Sequence, residues 1–250
     1  QLASRVRDVL GVDLPLRHLF DDPTVAHLAQ VVDAASIAGD GHDKPEISAA
    51  PANAEKPLSF AQQRMWFLDQ LEPKNPQYNI PDAVKIKGDL NIEVLTACLQ
   101  KIVDRHEILR TAILTEDGKA RLSVRDSIVV NIPLVDISEM DEKQRTREAE
   151  SLVVENAKTG FDLSTAPLFR LKLIKLADDE YIFASTMHHS ISDGWSFGVL
   201  IREVGVLYDR ILRGDETPLP DMPLQYSDFA YWQRAWLQGE TLEQEIEYWK

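Results

Sequence analysis

The stretch His188-His189-Ser190-Ile191-Ser192-Asp193-Gly194 lies between two segments of different periodicity. Residues 181–187, before it, are apolar and rich in β-forming side chains, which predicts a strand. Residues 195–212, after it, repeat apolar side chains at helical spacing and are followed by Gly214, which predicts an amphipathic helix. Two adjacent imidazoles therefore stand where a strand passes into a helix. Because neighbouring side chains on an extended chain point to opposite sides, only one of them can face a given cavity.

The same stretch resembles the HHxxxDG signature of the condensation domains of nonribosomal peptide synthetases. Those domains share a superfamily with chloramphenicol acetyltransferase and carnitine acyltransferases. Further segments resemble other motifs of these domains in the same order, namely residues 58–68 with 78–79, 105–111, 161–174 and 225–232. The resemblance implies an α/β fold, in which residues 57–250 form a chloramphenicol-acetyltransferase-like sandwich lobe and the start of a second lobe.

The composition of the 250 residues is that of a globular protein, with 44% hydrophobic and 27% charged residues. The 27 basic and 41 acidic residues give a net charge of −14, which repels phosphate backbones and argues against a nucleic-acid partner. The sequence has no long apolar run and no leader pattern, so we expect no membrane partner. The lone Cys98 suits a reducing cytoplasm and, on a predicted helix, a small core position.

Residues 1–35 are helical in pattern, with Gly11 as a stop and Asp22-Pro23 as a second helix start. Residues 10–29 resemble the back half of a peptidyl carrier domain. The serine that carries 4′-phosphopantetheine in that family would come earlier, and Ser4 lies in the wrong context. We therefore expect residues 1–35 to be the C-terminal part of a carrier domain that begins after the attachment site, a partial helical bundle.

Residues 36–56 are rich in Gly, Pro, Ala and Ser and predict an interdomain linker. Its stretch Gly39-Asp-Gly41-His-Asp43 is not a phosphate-binding loop, because no Lys-Ser/Thr and no helix follow. Beyond the linker, Asp117-Gly118 predicts a hairpin. Ser138 with Asp141 resembles a capping box, which predicts the start of a long charged helix, and Gly160 predicts its end. Strands are predicted at 84–87, 112–116, 119–124, 167–174 and 181–187, and helices at 91–103, 138–159, 195–212 and 242–250.

The chemistry that fits the central stretch is acyl transfer to an amine. The amine must lose a proton as the amide forms, and an imidazole titrates near neutral pH and accepts one. The resemblance assigns this role to His189, either as a base or as a group that positions the amine. His188 belongs to the same catalytic motif, but a buried core imidazole is the better interpretation of its place. The resemblance also implies that Gly194 allows close backbone approach near the substrate.

Supporting roles follow from the resemblance alone. Asp193 should pair with a guanidinium, with Arg105 preferred and Arg64 as the alternative, and should shape the loop rather than carry protons. Trp232 belongs to a further family motif, and we expect exposed apolar surface around Trp232, Trp236 and Trp249. The form Arg64-Met65-Trp66 resembles the subclass that accepts an L-aminoacyl donor.

Three alternatives remain beside this interpretation. Residues 194–198 match GxSxG, which would make Ser196 the nucleophile of a thioesterase, although all six histidines precede it in the chain. A metal site at the paired histidines is disfavoured, because adjacent side chains on an extended segment do not converge on one ion. A catalytically idle docking domain of the same fold is the third alternative.

The resemblance implies partners rather than a resident cofactor. They are donor and acceptor carrier domains with their 4′-phosphopantetheine arms, a neighbouring adenylation domain, and the rest of the condensation domain. The predicted activity is transfer of a carrier-bound aminoacyl or peptidyl thioester to the amine of a downstream carrier-bound amino acid, in the cytoplasm.

Overall fold

The computed structural model describes residues 2–12, 14–38, 45–51 and 53–250. The chain divides into two compact units, residues 1–46 and 47–250. The glycine-rich stretch of the predicted linker, residues 39–43, lies outside the described residues. Residues 47–56 belong to the second unit, where the Ala50 amide donates to Asp228 across 2.9 Å and Lys56 lies 2.7 Å from Glu107.

The first unit is helical, with α1 at Leu2–Leu10, α2 at His18–Asp21 and α3 at Val25–Ala38. Gly11 has a φ of +68° and ends α1, as predicted. The predicted start of the next helix at Asp22-Pro23 is wrong. The helix begins two residues later because the hydroxyl of Thr24 accepts a hydrogen bond from the His27 amide at 3.2 Å and so supplies the cap.

The second unit mixes helices and strands. In chain order they are α4 Phe60–Leu71, β1 Asn79–Lys87, α5 Ile92–Arg105, β2 Thr111–Glu116, β3 Lys119–Val124, β4 Leu134–Asp136, α6 Glu142–Lys158, β5 Phe169–Ala177, β6 Glu180–His188, α7 Gly194–Leu212, α8 Tyr226–Trp236 and α9 Gly239–Trp249, with short 3-10 helices at Pro76–Tyr78 and Glu107–Arg110. Four strands form one sheet in the order β1-β6-β5-β4, and β2 pairs with β3 in a separate hairpin. The pair β4–β5 is parallel, and the pairs β1–β6 and β5–β6 are antiparallel.

The four-stranded sheet is buried on both faces. Leu173 and Ile174 are neighbours on β5, both fully buried, yet they belong to different clusters because alternate side chains on a strand face opposite ways. Leu173 packs in the main core with side chains of α5 and α7, such as Ile102 and Leu207. Ile174 packs on the other face, with Ala149 of α6. The sheet therefore lies between α6 on one side and the α5 and α7 layer on the other.

Cys98 lies in the main core on α5 and is fully buried. Burial raises the pKa of its thiol to about 11, because the thiolate would lose its hydration. The interpretation of Cys98 as a small core residue is confirmed.

Local signals predicted some of the element ends, such as the turn between β2 and β3. Asp117 and Gly118 both adopt positive φ at the β2–β3 turn, as predicted for this dipeptide. The predicted capping role of Ser138 is wrong. Asp141 caps α6 by accepting from the Gln144 amide at 3.0 Å, whereas the hydroxyl of Ser138 donates to Asp136 at 2.6 Å. No helix in the described part of the chain is both long and apolar enough to span a bilayer.

Candidate active site

The paired imidazoles lie at the junction of β6 and α7, and they point to different environments. His189 is exposed, lines a cavity of about 490 Å³, and donates its backbone N–H to the carbonyl of Tyr78 at 2.9 Å. Its Nδ1 lies 3.0 Å from the carbonyl oxygen of Ser192. Because a carbonyl only accepts, Nδ1 carries the hydrogen, and the lone pair of the neutral ring is on Nε2.

His188 is 4% exposed and contacts the rings of Tyr78 and Phe161 edge-on, with centroids 6.5 and 6.2 Å away. Its Nδ1 accepts the amide of Ser190 at 3.1 Å and lies 2.8 Å from the hydroxyl of the same residue. Burial, with a smaller contribution from the charge of His189, lowers the pKa of His188 to about 4. The structure thus places this predicted member of the catalytic motif in the core as a neutral ring.

Asp193 is exposed and caps α7. Its carboxylate accepts from the Ser196 amide at 2.8 Å and from the Ser196 hydroxyl at 2.6 Å, and these bonds hold the pKa of Asp193 below its ordinary value. The predicted ion pair of Asp193 with Arg105 or Arg64 is wrong: within the described ranges, no arginine nitrogen lies within 4.0 Å of this carboxylate. Asp193 thus bonds to Ser196 of its own helix instead of to a distant arginine.

Arg105 does bind a carboxylate, but that carboxylate is Glu203 of α7. The Nε of Arg105 lies 3.3 Å from Glu203, and the Nε2 of His106 lies 2.7 Å from its other oxygen. All three side chains are mostly buried. The cluster joins the end of α5 to the middle of α7, so both residues of the Arg105-His106 pair have a structural contact.

Gln62 was not singled out in the sequence, although it supports the loop of His189. It is 1% exposed, its Oε1 accepts the Ser59 amide at 3.1 Å, and its Nε2 donates to the carbonyl of Ser190 at 3.2 Å. The hydroxyl of Ser59 in turn accepts the Gln62 amide at 3.1 Å, which completes a capping box. The spacing Ser59-x-x-Gln62 is the signal that could have located this residue.

The cavity beside His189 is lined by α4, α5, the motif loop, α7 and residues 222–226. Arg64 lies in its wall and is exposed, and its guanidinium has no hydrogen-bond or ionic partner among the described residues. Gly194 is the first residue of α7, and a Cβ built there would have nothing within 4 Å. A side chain at this position would therefore meet no neighbouring atom, and Gly194 is not itself part of the cavity wall.

This geometry can be compared with known proteins. The sequence profile of the family described as "Condensation domain" matches residues 52–250. The chain belongs to the condensation-domain family. A linear gramicidin synthase of Brevibacillus parabrevis is 41% identical over 251 residues, and the dimodular nonribosomal peptide synthase of Bacillus subtilis is 37% identical over 240 residues. These alignments cover 100% and 96% of this chain but only 3% and 10% of those proteins.

Solved structures show the same fold. The X-domain in its complex with OxyB from teicoplanin biosynthesis superposes with a TM-score of 0.71 at 26% identity, over 82% of this chain and 45% of that one. The starter condensation domain of rhizomide synthetase RzmA gives a TM-score of 0.70 at 22% identity, over 79% of this chain and 47% of that one. At 22% identity the second likeness concerns the fold alone.

In this condensation domain, Ser196 does not have the geometry of a hydrolase nucleophile. It lies at the third position of α7 rather than directly after β6, and its hydroxyl donates to Asp193. Residues 189–195 separate it from the end of β6 at His188, unlike a nucleophile elbow. The thioesterase alternative is therefore not favoured.

Trp232 lies on α8 of the condensation domain and is not part of the cavity wall. Its indole stacks on Trp236, with centroids 5.1 Å apart and planes at 16°, and both rings are half-buried. Trp249 on α9 is 82% exposed. The expected exposed apolar surface is thus found at Trp249 rather than at the stacked pair.

Within the described residues, no three side chains of His, Cys, Asp or Glu come close enough together to hold a metal ion.

Proposed function

We propose that this condensation domain contributes to peptide-bond formation, by transfer of a carrier-bound aminoacyl or peptidyl thioester to the amine of a second carrier-bound amino acid. The observation that carries the proposal is the orientation of His189. Its Nδ1–H is held by the Ser192 carbonyl, which leaves the Nε2 lone pair for a proton at the exposed edge of the cavity. The family match and the relatives named as peptide synthetases support it.

The role of His189 is to take up or share the proton that the attacking amine must lose. As the amine forms its bond to the acyl carbon, the carbon–sulfur bond breaks and the amine nitrogen releases a proton. His189 Nε2 accepts or shares that proton, and the departing thiolate finally takes one up. The fixed tautomer matters because the same atom always faces the substrate, with no rearrangement needed before the reaction.

The substrates would come on 4′-phosphopantetheine arms of donor and acceptor carrier domains, which supply the reactive thioester. The site fits such an arm on one observation: the exposed side chain of His189 lines a cavity of about 490 Å³. We also propose that residues 1–35 are the end of a carrier domain, since the described part of this segment is mainly helical and the gramicidin synthase alignment includes it. The neighbouring adenylation domain, the second lobe and a cytoplasmic location belong to the same proposal.

The test is a reconstituted assay with an aminoacylated donor carrier and an aminoacylated acceptor carrier. This 250-residue chain is compared with a chain extended through the second lobe. We expect amide product only from the extended chain, because holding both reactants together supplies about 7–11 kcal/mol of the barrier of a bimolecular step. The family resemblance implies that the reaction site lies between the two lobes, and equal turnover by both chains would contradict that placement. If the extended chain still binds both carriers but forms no amide, the idle docking alternative is correct.

A further inference from the structure

The wall of the cavity beside His189 changes in character from its exposed edge to its buried end. The exposed side chains include four charged or polar ones, together with Trp195, which is 64% exposed: Arg64, His189, Asp193 and Ser196. The buried side chains are apolar except Ser190, and they are between 1% and 8% exposed: Met65, Ile102, Leu109, Met187 and Ile191. A ligand that enters past His189 therefore meets an apolar surface.

The polar groups of this wall are largely committed to the protein itself. The hydroxyl of Ser190 contacts His188, that of Ser196 donates to Asp193, and His106 contacts Glu203. The side-chain oxygen of Gln225 accepts the Glu107 amide, and its nitrogen donates to the Arg105 carbonyl. A charged group at the buried end would lose its hydration and find no uncommitted partner among the buried wall residues, which makes its burial unfavourable.

We infer that this cavity is a side-chain pocket that selects a neutral, apolar amino acid as one of the two substrates. The inference rests on the proposed function, since it takes the ligand to be an amino-acid derivative whose reacting amine or carbonyl lies at His189. Its volume of about 490 Å³ lies within the usual range of small-molecule pockets, roughly 300–1,000 Å³. The exposed edge carries one cation, Arg64, and one anion, Asp193, so its charges together favour neither a basic nor an acidic side chain.

The methionines of the chain offer a direct readout of binding. Three of the four, Met65, Met187 and Met222, line the cavity, whereas Met140 lies in the turn before α6 and does not. The chain labelled with ¹³C at the methionine methyl groups is titrated with leucinamide, aspartic acid α-amide and lysinamide. These probes carry a free amine and no leaving group, so binding is measured without turnover.

We expect leucinamide to shift the three cavity methyl signals and to leave that of Met140 unchanged. The two charged amides should bind about tenfold more weakly or worse, because a charged side chain at the buried end loses its hydration. Shifts of all four methyl signals together, equal affinity for the three amides, or no shift with leucinamide up to its solubility limit would each overturn the inference.

A pair of valines on α7 provides a matched control. Val199 lines the cavity, and Val206 lies on the same helix outside it and is 38% exposed. Val199→Phe should fill part of the pocket and weaken leucinamide binding about tenfold, whereas Val206→Phe should bind it like the unsubstituted chain. Equal loss of leucinamide binding in both variants would contradict the pocket.

In the chain extended through the second lobe, Val199→Phe should lower amide formation with a leucyl substrate more than with an alanyl one. Failure of amide formation with every substrate would count against the proposed function, whereas the methyl shifts decide the pocket separately.

Discussion

The side-chain amide of Gln62 donates a hydrogen bond to the backbone carbonyl of Ser190 across 3.2 Å, and this bond links α4 to the loop that carries His189. The two residues are 128 positions apart in the sequence. Gln62 is 1% exposed, so no solvent competes for the bond. The opening segment of the family pattern and its central motif therefore meet in one buried contact.

Gln62→Glu should destabilise the protein and displace the loop. A carboxylate can still accept the Ser59 amide, but it cannot donate to Ser190 and would be buried without a cation. We expect the free energy of unfolding to fall by about 1–3 kcal/mol in a urea titration. The matched control is Gln70→Glu on the exposed face of the same helix, with a change within about 0.5 kcal/mol. Equal effects in the two variants would show that the Gln62–Ser190 bond does not hold the loop.

The buried ring of His188 predicts a dependence of stability on pH. Its pKa in the folded chain is about 4, below the ordinary value of 6.5, so between these pH values the unfolded chain binds a proton that the folded chain excludes. The free energy of unfolding should therefore be highest above pH 6.5 and fall towards pH 4, by up to about 3 kcal/mol from this residue.

His188→Asn removes the titrating ring and keeps an oxygen that can accept the Ser190 amide. We expect this variant to lose less stability than the unsubstituted protein between pH 7.5 and pH 4.5. Urea titrations at both pH values measure the difference. Equal losses of stability between these pH values in the two proteins would mean that His188 is not the group that takes up a proton only when the chain unfolds.

The Arg105–His106–Glu203 cluster should matter more for stability than the carboxylate of Asp193. Glu203→Ala leaves a mostly buried guanidinium without its counter-ion, at a cost of up to about 3–5 kcal/mol. Asp193→Ala loses a helix cap, worth about 0.5–2 kcal/mol. The control Asp209→Ala breaks an exposed pair with Arg213 on the same helix and should cost less than about 1 kcal/mol. A larger loss of stability in Asp193→Ala than in Glu203→Ala would instead support the ion pair of Asp193 with an arginine that the family resemblance implied.

Gly160 is required by a close approach of two backbone segments. A Cβ at this position would lie 1.8 Å from the carbonyl oxygen of Lys74, so Gly160→Ala must move one segment. We expect a loss of about 1–3 kcal/mol in the free energy of unfolding. Gly198→Ala on α7 is the control, since its Cβ meets nothing within 4 Å and alanine favours a helix by up to about 1 kcal/mol. A Gly160→Ala protein with an unchanged free energy of unfolding would show that the backbones at Gly160 and Lys74 are far enough apart to admit a methyl group.

The parts of this fold that depend on neighbouring residues in the sequence could be predicted. The positive-φ turn at Asp117-Gly118 and the amphipathic helix α7 follow from local chemistry. The starts of α3 and α6 were misplaced by two to four residues, because Thr24 and Asp141 compete as caps with the residues chosen. When several residues near a helix start can each act as the N-cap, the sequence does not show which one does, because this depends on the direction from which the chain enters the helix.

The partners of the site residues could not be predicted in the same way. The bond between Arg105 and Glu203 spans 98 positions, and its choice over Asp193 is decided by how α5 packs on α7. That the two adjacent imidazoles face different environments did follow from the alternation of side chains on an extended chain. Which of the two is exposed depends on which side of the sheet end carries Tyr78 and Phe161.

The proposed role of His189 is to accept or share the proton of the attacking amine, and replacement of its side chain is the decisive test. The measurement is the rate of amide formation by the chain extended through the second lobe, with aminoacylated donor and acceptor carriers, for His189→Ala beside the His188→Asn control. We expect His189→Ala to react about 10²–10⁴-fold more slowly with unchanged stability, because the side chain is exposed, whereas His188→Asn should lose mainly stability. A His189→Ala rate within a few-fold of the unsubstituted domain would contradict this role.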